Sequence, residues 1–355
     1  MSQKKIRVLI VDDSALIRGV MTEILNDDPE IEVVGTAPDP YVARDKIKTL
    51  QPDVLTLDVE MPKMDGLTFL KKLMAARPMP VVMVSSLTEQ GAATTMQALE
   101  SGAVDFVTKP TLDIQHGLAD LAHQITSKVK AAAQATVKKR TPPTDCSEQI
   151  KALAAQSAMI KTTDTIIAIG SSTGGTEALR ELLEVLPPNM PPILLTQHMP
   201  EHFTKTFADR LNELCQINVK EAQEGDSVIP GQALLAPGNY HMELRRSGAK
   251  YYVTLNQEPQ VNRHRPAVDP MFQSVAKYAG PNSVGVILTG MGNDGAAGML
   301  DMKKAGAFNL AQDEASCVVF GMPKEAIKSG GVDKILPLSD IPSAILAHLK
   351  MISLP

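Results

Sequence analysis

The strongest constraint on the fold is an alternation. Short β-branched runs recur at Ile6–Val11, Glu32–Gly35, Val54–Leu57, Val81–Val84 and Val104–Val107. Between them lie stretches with helical spacing. One carries Leu16, Val20 and Ile24, with Ser14 placed as its cap. Strand, helix, strand, repeated in this way, predicts a doubly wound parallel sheet. At 355 residues the chain exceeds one such domain. The alternation resumes at Ile166–Ile169, Ile193–Leu195, Val284–Leu288 and Val318–Phe320, while Val219–Leu255 reads as shorter strands and turns. A second α/β domain with a β-rich insertion is expected.

Residues 129–162 separate the two. They are rich in Ala, Lys, Thr and Gln, and Lys138-Lys139-Arg140 stands beside Pro142-Pro143. The stretch reads as a linker, helical in part over Ile150–Met159. A net charge of -5 argues against a nucleic-acid partner held by bulk positive charge, and no helix-turn-helix pattern is present. The cysteines Cys146, Cys215 and Cys317 are odd in number and form no C-x-x-C pair. No disulfide framework is expected, and the chain reads as cytoplasmic. No apolar stretch is long enough to span a bilayer, and Ile6–Val11 is too short for a signal-peptide core.

The C-terminal ends of parallel strands share one edge, where open α/β folds place their sites. In the first domain that edge gathers Asp12-Asp13, Asp58, Ser85-Ser86 and Lys109-Pro110. Clustered carboxylates repel one another unless a cation neutralises them, and oxygen ligands suit Mg²⁺. Together with Lys109, such a cation stabilises charge on a phosphoryl group moving to Asp58, and Ser85 is placed to hydrogen-bond it. The set over residues 5–125, with the stretch Asp58-Val-Glu-Met-Pro-Lys-Met-Asp-Gly66, resembles the receiver domain of two-component response regulators. The resemblance implies a flavodoxin-like doubly wound domain with Asp58 as phospho-acceptor. It also implies Mg²⁺ on Asp12, Asp13, Asp58 and the Glu60 backbone carbonyl, and switch residues Ser85, Phe106 and Lys109. A cis bond before Pro110 is implied as well.

The second domain opens with Thr165-Ile-Ile-Ala-Ile-Gly-Ser-Ser-Thr-Gly-Gly175, a strand entering a Gly-rich turn before the helix Glu177–Val185. Gly170-x-Ser172-x-Gly174 has nucleophile-elbow spacing, and the helix N-terminus offers free N–H groups to an oxyanion. The stretch lacks the Lys-Ser/Thr ending of a P-loop and the G-x-G-x-x-G of a dinucleotide loop. A serine nucleophile needs a base, and the base needs an orienting carboxylate. His198 and Asp294 both follow apolar strand runs, so the sheet would bring them to the edge that holds Ser172. His264 is the rival base, although Arg263 and Arg265 beside it oppose its protonation. His202 and His241 have no strand-end context, and His116, His123 and His348 read as helix-surface residues.

Four segments of this domain are similar to the catalytic domain of the CheB chemotaxis methylesterase family, over residues 160–350. They are Ile169-Gly-Ser-Ser-Thr-Gly-Gly-Thr176, Thr196-Gln-His-Met-Pro200, Asn262-Arg-His-Arg-Pro266 and Leu288-Thr-Gly-Met-Gly-Asn-Asp-Gly-Ala296. The resemblance implies Ser172 as nucleophile, His198 as base, Asp294 as orienting acid, and backbone N–H groups of Met291 and Thr173 as the oxyanion hole. Ser171 stands where many relatives carry Ala, so Ser172 has to be distinguished from a second hydroxyl beside it. The implied architecture is a receiver domain over 1–128, a linker over 129–162 and a doubly wound, mostly parallel α/β hydrolase-type domain over 163–355. The implied reaction is demethylation of glutamate γ-methyl esters on chemoreceptors, with deamidation of glutamine at the same site and no cofactor there. The receiver is expected to cover that site until Asp58 is phosphorylated. The implied phosphodonor is the chemotaxis histidine kinase, and the chain is expected to be a monomer that inserts into no membrane. The rival reading is a response regulator whose second domain only binds, in which Ser172→Ala leaves all activity intact.

Overall fold

The computed structural model describes residues 4–110, 118–135, 137, 153 and 165–353. The chain divides into two compact units, Met1–Pro142 and Pro143–Pro355.

In the first unit the β-branched runs form β1 (Ile6–Val11), β2 (Ile31–Ala37), β3 (Val54–Asp58), β4 (Val81–Ser85) and β5 (Asp105–Thr108). Their order is β2-β1-β3-β4-β5, with every neighbouring pair parallel. All residues of β3 and β4 are buried, as unbroken apolar runs require when helices cover both sheet faces. Ser14 caps α1 (Ala15–Asp27), its side chain accepting the Ile17 N–H. The strand order reverses between β1 and β3, so their C-terminal ends open the crevice that receives Asp12, Asp13 and Asp58. The last described helix of the unit runs over Leu118–Gln134, past the boundary expected at 128, and its Val129, Ala131 and Ala132 are buried. The expected linker helix at Ile150–Met159, apart from Leu153, lies outside the described residues, as do Cys146, His116 and Lys138–Arg140.

In the second unit, β6 (Ile166–Ser171), β7 (Ile193–Gln197), β8 (Asn218–Glu221), β9 (Gln232–Leu235), β12 (Ser283–Ile287), β13 (Phe308–Gln312) and β14 (Lys334–Leu336) form one sheet. The order is β14-β13-β12-β6-β7-β9-β8, again with parallel neighbours. The chain builds outward from β6 on one side and returns to add β12 on the other, which makes the β6/β12 ends a switch point. The β-rich insertion is an antiparallel hairpin, β10 (His241–Ser247) with β11 (Lys250–Asn256). Its Met242, Leu244 and Val253 join the core around Val268, Phe272 and Met299.

Three expectations need correction. Val318–Phe320 is not a strand, and β13 falls earlier, at Phe308–Gln312. Val318 is used instead against Gly174, where an added Cβ would come within 2.5 Å of it, and Val319 N–H donates to Thr289 Oγ1 (3.0 Å). The polar residue inside β13 is accommodated because Asn309 Nδ2 donates to Met299 O and Gly331 O, both at 2.7 Å. His348 is half-buried rather than on the surface, its ring stacked on Phe308 at 4.2 Å. Among the described residues the cis peptide bond lies at Arg265–Pro266, not before Pro110. Lys109 instead extends the parallel ladder, its N–H donating to Ser85 O at 2.8 Å.

Candidate active site

The turn after β6 fixes the serine. Ser172 N–H donates to Thr289 O (3.0 Å), tying the turn to the strand beside it. Gly174 has φ +77° and caps α6 (Gly175–Glu184), a backbone that glycine adopts without steric cost. A Cβ at Gly175 would lie 2.2 Å from Gln197 Oε1, so the backbone must approach that side chain closely. Ser171 is fully buried and its Oγ donates to Gln197 Oε1 (2.7 Å), while Gln197 Nε2 donates back to Ser172 O (2.9 Å). The two adjacent hydroxyls are therefore distinguished by geometry: Ser171 packs the turn and Ser172 faces the histidine.

His198 follows β7. Its Nδ1 lies 3.1 Å from Ser172 Oγ and its Nε2 lies 2.7 Å from Asp294 Oδ2. In the trypsin-type arrangement the two ring nitrogens are exchanged, but the chemistry is the same: one edge accepts the hydroxyl proton while the other donates to a carboxylate. Asp294 lies in the loop after β12 and is almost wholly buried. Its Oδ2 also accepts the Val268 N–H (2.6 Å), and its Oδ1 accepts the Asp269 N–H (3.1 Å) and Asn262 Nδ2 (3.0 Å). Burial opposes its charge, yet the hydrogen bond and charge of His198, with the Val268 and Asn262 bonds, hold its carboxyl well below the usual range. The neighbouring Asp269 behaves oppositely. Burial and the Asp294 charge push it up to about 6, against the bond it accepts from Gly298 N–H.

The contact to Ser172 is made by His198, and His264 lies face to face on the His198 ring, with centroids 3.7 Å apart and planes 12° from parallel. Arg265 is tied away by Asn239 Oδ1 (2.7 Å) and the carbonyls of Gln257 (2.9 Å) and Glu258 (3.1 Å). His241 is a buried structural residue between the Ala267 N–H and Pro259 O, both at 3.2 Å. The loop carrying Met291 reaches the serine, since a Cβ at Gly290 would lie 2.8 Å from Ser172 Cβ. Thr173 follows Ser172 in the turn, and its carbonyl accepts Thr289 Oγ1 (3.0 Å). Sequence reasoning missed Asn262 as a partner of the acid and missed Asp269 entirely. Asn262 lies in a turn and Asp269 in the first turn of the helix Val268–Tyr278, and no local pattern points either one at Asp294.

The first unit holds the carboxylate cluster. Oxygens of Asp12, Asp13 and Asp58 lie within 4.8 Å of one another. Lys109 Nζ is 2.7 Å from Asp58 Oδ2 and 3.7 Å from Asp12 Oδ2. Burial pushes the Asp58 carboxyl up to about 6; the Lys109 bond opposes this and the Asp12 charge adds to it. Asp12 is raised too, chiefly by burial, and its Oδ2 is buried with no hydrogen-bond partner. An orphaned carboxylate oxygen among all-oxygen donors fits a hard divalent cation. Glu60 N–H donates to Asp58 Oδ1 (3.2 Å). Gly66 is required where it stands, because a Cβ there would lie 1.9 Å from Asp58 O. Ser85 is buried at the end of β4, with its Oγ donating to Ser86 O (3.3 Å). Phe106 is turned into the core, with Lys128 Nζ 4.8 Å from its ring centroid. Beside the cluster lies a cleft of about 850 Å³, lined in part by Asp13, Glu60, Gln90, Thr94 and Lys109.

A serine–histidine–aspartate array on one parallel sheet, and a carboxylate–lysine crevice on another, define a serine hydrolase joined to a response-regulator receiver. Family models agree: a response regulator receiver domain matches residues 8–121 and CheB methylesterase matches 167–345. The chain is 61% identical over 342 residues to a protein-glutamate methylesterase/protein-glutamine glutaminase of Thiobacillus denitrificans, covering 96% of each. It is 59% identical over 345 residues to the protein of the same name from Pectobacterium atrosepticum, covering 97% of each. The crystal structure of the Thermotoga maritima CheB methylesterase catalytic domain is 40% identical, with 52% of this chain and 98% of that one covered and a TM-score of 0.51. The chain belongs to the CheB methylesterase family.

Proposed function

We propose that this protein hydrolyses γ-methyl esters of glutamate on chemoreceptors, deamidates glutamines there, and is activated by phosphorylation of Asp58. The observation that carries the reading is the continuous line Ser172 Oγ–His198–Asp294, at 3.1 and 2.7 Å. Ser172 attacks the ester carbonyl while His198 Nδ1 takes its proton. His198 then passes that proton to the departing methanol, or to ammonia when the substrate is glutamine. Asp294 holds the Nε2–H and stabilises the imidazolium. Backbone N–H groups of Thr173 and Met291 are assigned to the oxyanion, each worth about 2.7–4 kcal/mol in sites of this type. Water next attacks the acyl-enzyme, giving its proton to His198, and Ser172 leaves with the proton that His198 returns.

Asp12, Asp13, Asp58 and the Glu60 carbonyl would hold Mg²⁺, which supplies charge neutralisation during phosphoryl transfer. Asp58 accepts the phosphoryl group from a chemotaxis histidine kinase. Lys109 and Ser85 bind its oxygens, and Ser85 and Phe106 carry the change onward. In this reading a receiver over 1–128 and a linker over 129–162 place a catalytic domain over 163–355 under the control of Asp58 phosphorylation. No described helix is long and apolar enough to cross a membrane. In this reading the chain is a cytoplasmic monomer that reaches membranes through its receptor substrate.

The test is methanol release from methylated receptor membranes, with and without a small phosphodonor and Mg²⁺. Release is expected to vanish in Ser172→Ala and persist in Ser171→Ala. In Asp58→Asn, basal release should persist without stimulation. Activity retained in Ser172→Ala would overturn the assignment.

A further inference from the structure

One motif is not absorbed by this mechanism: the turn that precedes cis-Pro266. Val261 and His264 exchange backbone hydrogen bonds, Val261 N–H to His264 O (3.1 Å) and His264 N–H to Val261 O (2.9 Å). Asn262 and Arg263 lie between them with φ +51° and +66°. Two consecutive positive φ values mark an I′-type turn, which favours Asn followed by Gly. The turn sets one side chain on each member of the histidine–aspartate pair. Asn262 Nδ2 donates at 3.0 Å to Asp294 Oδ1 and at 3.0 Å to Asp269 Oδ2, one amide bridging two buried acids. His264 lies on the face of the His198 ring.

These contacts supply what the in-line hydrogen bonds lack. Bonds to Ser172 and Asp294 fix which edge of the imidazole points where, but the ring can still tilt out of plane. A stacked ring at van der Waals distance limits that tilt. A carboxylate between two backbone N–H groups can still swing toward Asp269, and the forked amide fixes the gap between the two acids. Without that donor, less would oppose the repulsion between the Asp269 and Asp294 carboxyls.

Resting on the hydrolase reading above, we infer that the Val261–His264 turn is a positioning element. Asn262 holds the acid edge-on, and His264 holds the base by its face. His264 acts through its ring plane and not by proton transfer.

The experiment uses the full chain activated by phosphodonor and Mg²⁺, with four variants. Asn262→Gly keeps the turn, since glycine accepts φ +51° without strain, and removes only the amide. It should lower kcat for methanol release about 10- to 100-fold with KM nearly unchanged, the scale of a misaligned catalytic group. The thermal midpoint should fall by several degrees, because a donor to two buried acids is lost, and activity is therefore compared well below the variant's own midpoint. His264→Ala should lower kcat by about tenfold, the upper end for a stacked pair. His264→Phe should restore most of it, because phenylalanine keeps the face and has no proton to transfer. Ser172→Ala is the null.

A second readout needs no turnover. In protein carrying ¹⁵N-histidine, the His198 Nε2–H donated to Asp294 should give a slowly exchanging downfield proton signal. It should broaden or vanish in Asn262→Gly and persist in His264→Phe. If wild type releases no methanol, the hydrolase reading falls and this signal still decides the turn's role. Wild-type kcat and an unchanged signal in Asn262→Gly would overturn the inference. So would a His264→Phe variant as inactive as His264→Ala, which would make His264 a proton carrier.

Discussion

The two sites are built from the same motif, acids at the ends of parallel strands, and treat their charges in opposite ways. In the hydrolase unit Asp294 accepts four hydrogen bonds, from His198, Val268, Asp269 and Asn262, and its carboxyl is held well below the ordinary range. In the receiver unit Asp58 and Asp12 share Lys109, both carboxyls are raised, and Asp12 Oδ2 has no hydrogen-bond partner. The first arrangement is electrostatically complete and ready to react. The second is unstable as an anion cluster and is completed only by what it binds. A catalytic site gains from preorganisation; a switch gains from a ground state that a cation and a phosphoryl group can change.

The largest test of that contrast is Asp294→Asn. An amide there offers donors where four donors already converge, and it cannot hold the imidazolium. Methanol release by the activated protein should fall by about 10⁴-fold. Phosphorylation of Asp58, followed as acid-labile phosphate from a small phosphodonor, should be unchanged. A parallel loss of phosphorylation would show that the two sites are not independent.

Asp58→Asn tests the other half. The folded value near 6 lies above the ordinary 3.8. The contribution of Asp58 to stability is therefore fully present below 3.8 and is lost as pH rises through 6. Above that range the buried anion destabilises the receiver. Without divalent cation the variant should be more stable than wild type by about 1–3 kcal/mol near neutral pH. The advantage should disappear on acidification below the ordinary carboxylate range. Mg²⁺ should narrow it at neutral pH by binding wild type preferentially. Hydrogen exchange of β1 and β3 in urea reads this directly. Equal stability at every pH would mean that Lys109 alone neutralises the cluster.

The contrast also explains what could be read from sequence. Strand-end residues were legible because period and position suffice: Asp12, Asp58, Lys109, Ser172 and His198 all follow apolar runs, and parallel topology does the rest. Asn262 and Asp269 were not legible as partners of Asp294. One sits in a tight turn and the other in the first turn of a helix, Val268–Tyr278, so their roles depend on a tertiary approach that no local pattern announces. The missed strand has a similar cause. Val318–Phe320 has the β-branched character, but tertiary contacts at Gly174 and Thr289 claim it, and Phe308–Gln312 pairs with β12 despite its Asn and Gln. The hidden stacking of His348 on Phe308 is of the same kind.

Two smaller effects test how finished the hydrolase site is. Ser171→Ala removes the bond to Gln197 Oε1 inside a fully buried turn, and should cost about 1 kcal/mol in urea unfolding of that unit. Arg263 is a place beside the site where local preference is violated. It is exposed, and it holds φ +66° at the turn position where glycine is favoured. An L-residue in the left-handed region costs roughly 1–2 kcal/mol, and glycine returns part of that through the greater freedom of the unfolded chain. Arg263→Gly should therefore raise the stability of the hydrolase unit by about 0.5 kcal/mol. A loss of that size or more would mean that the Arg263 side chain itself stabilises the turn, and that the strain is maintained for its sake rather than for Asn262 and His264 beside it.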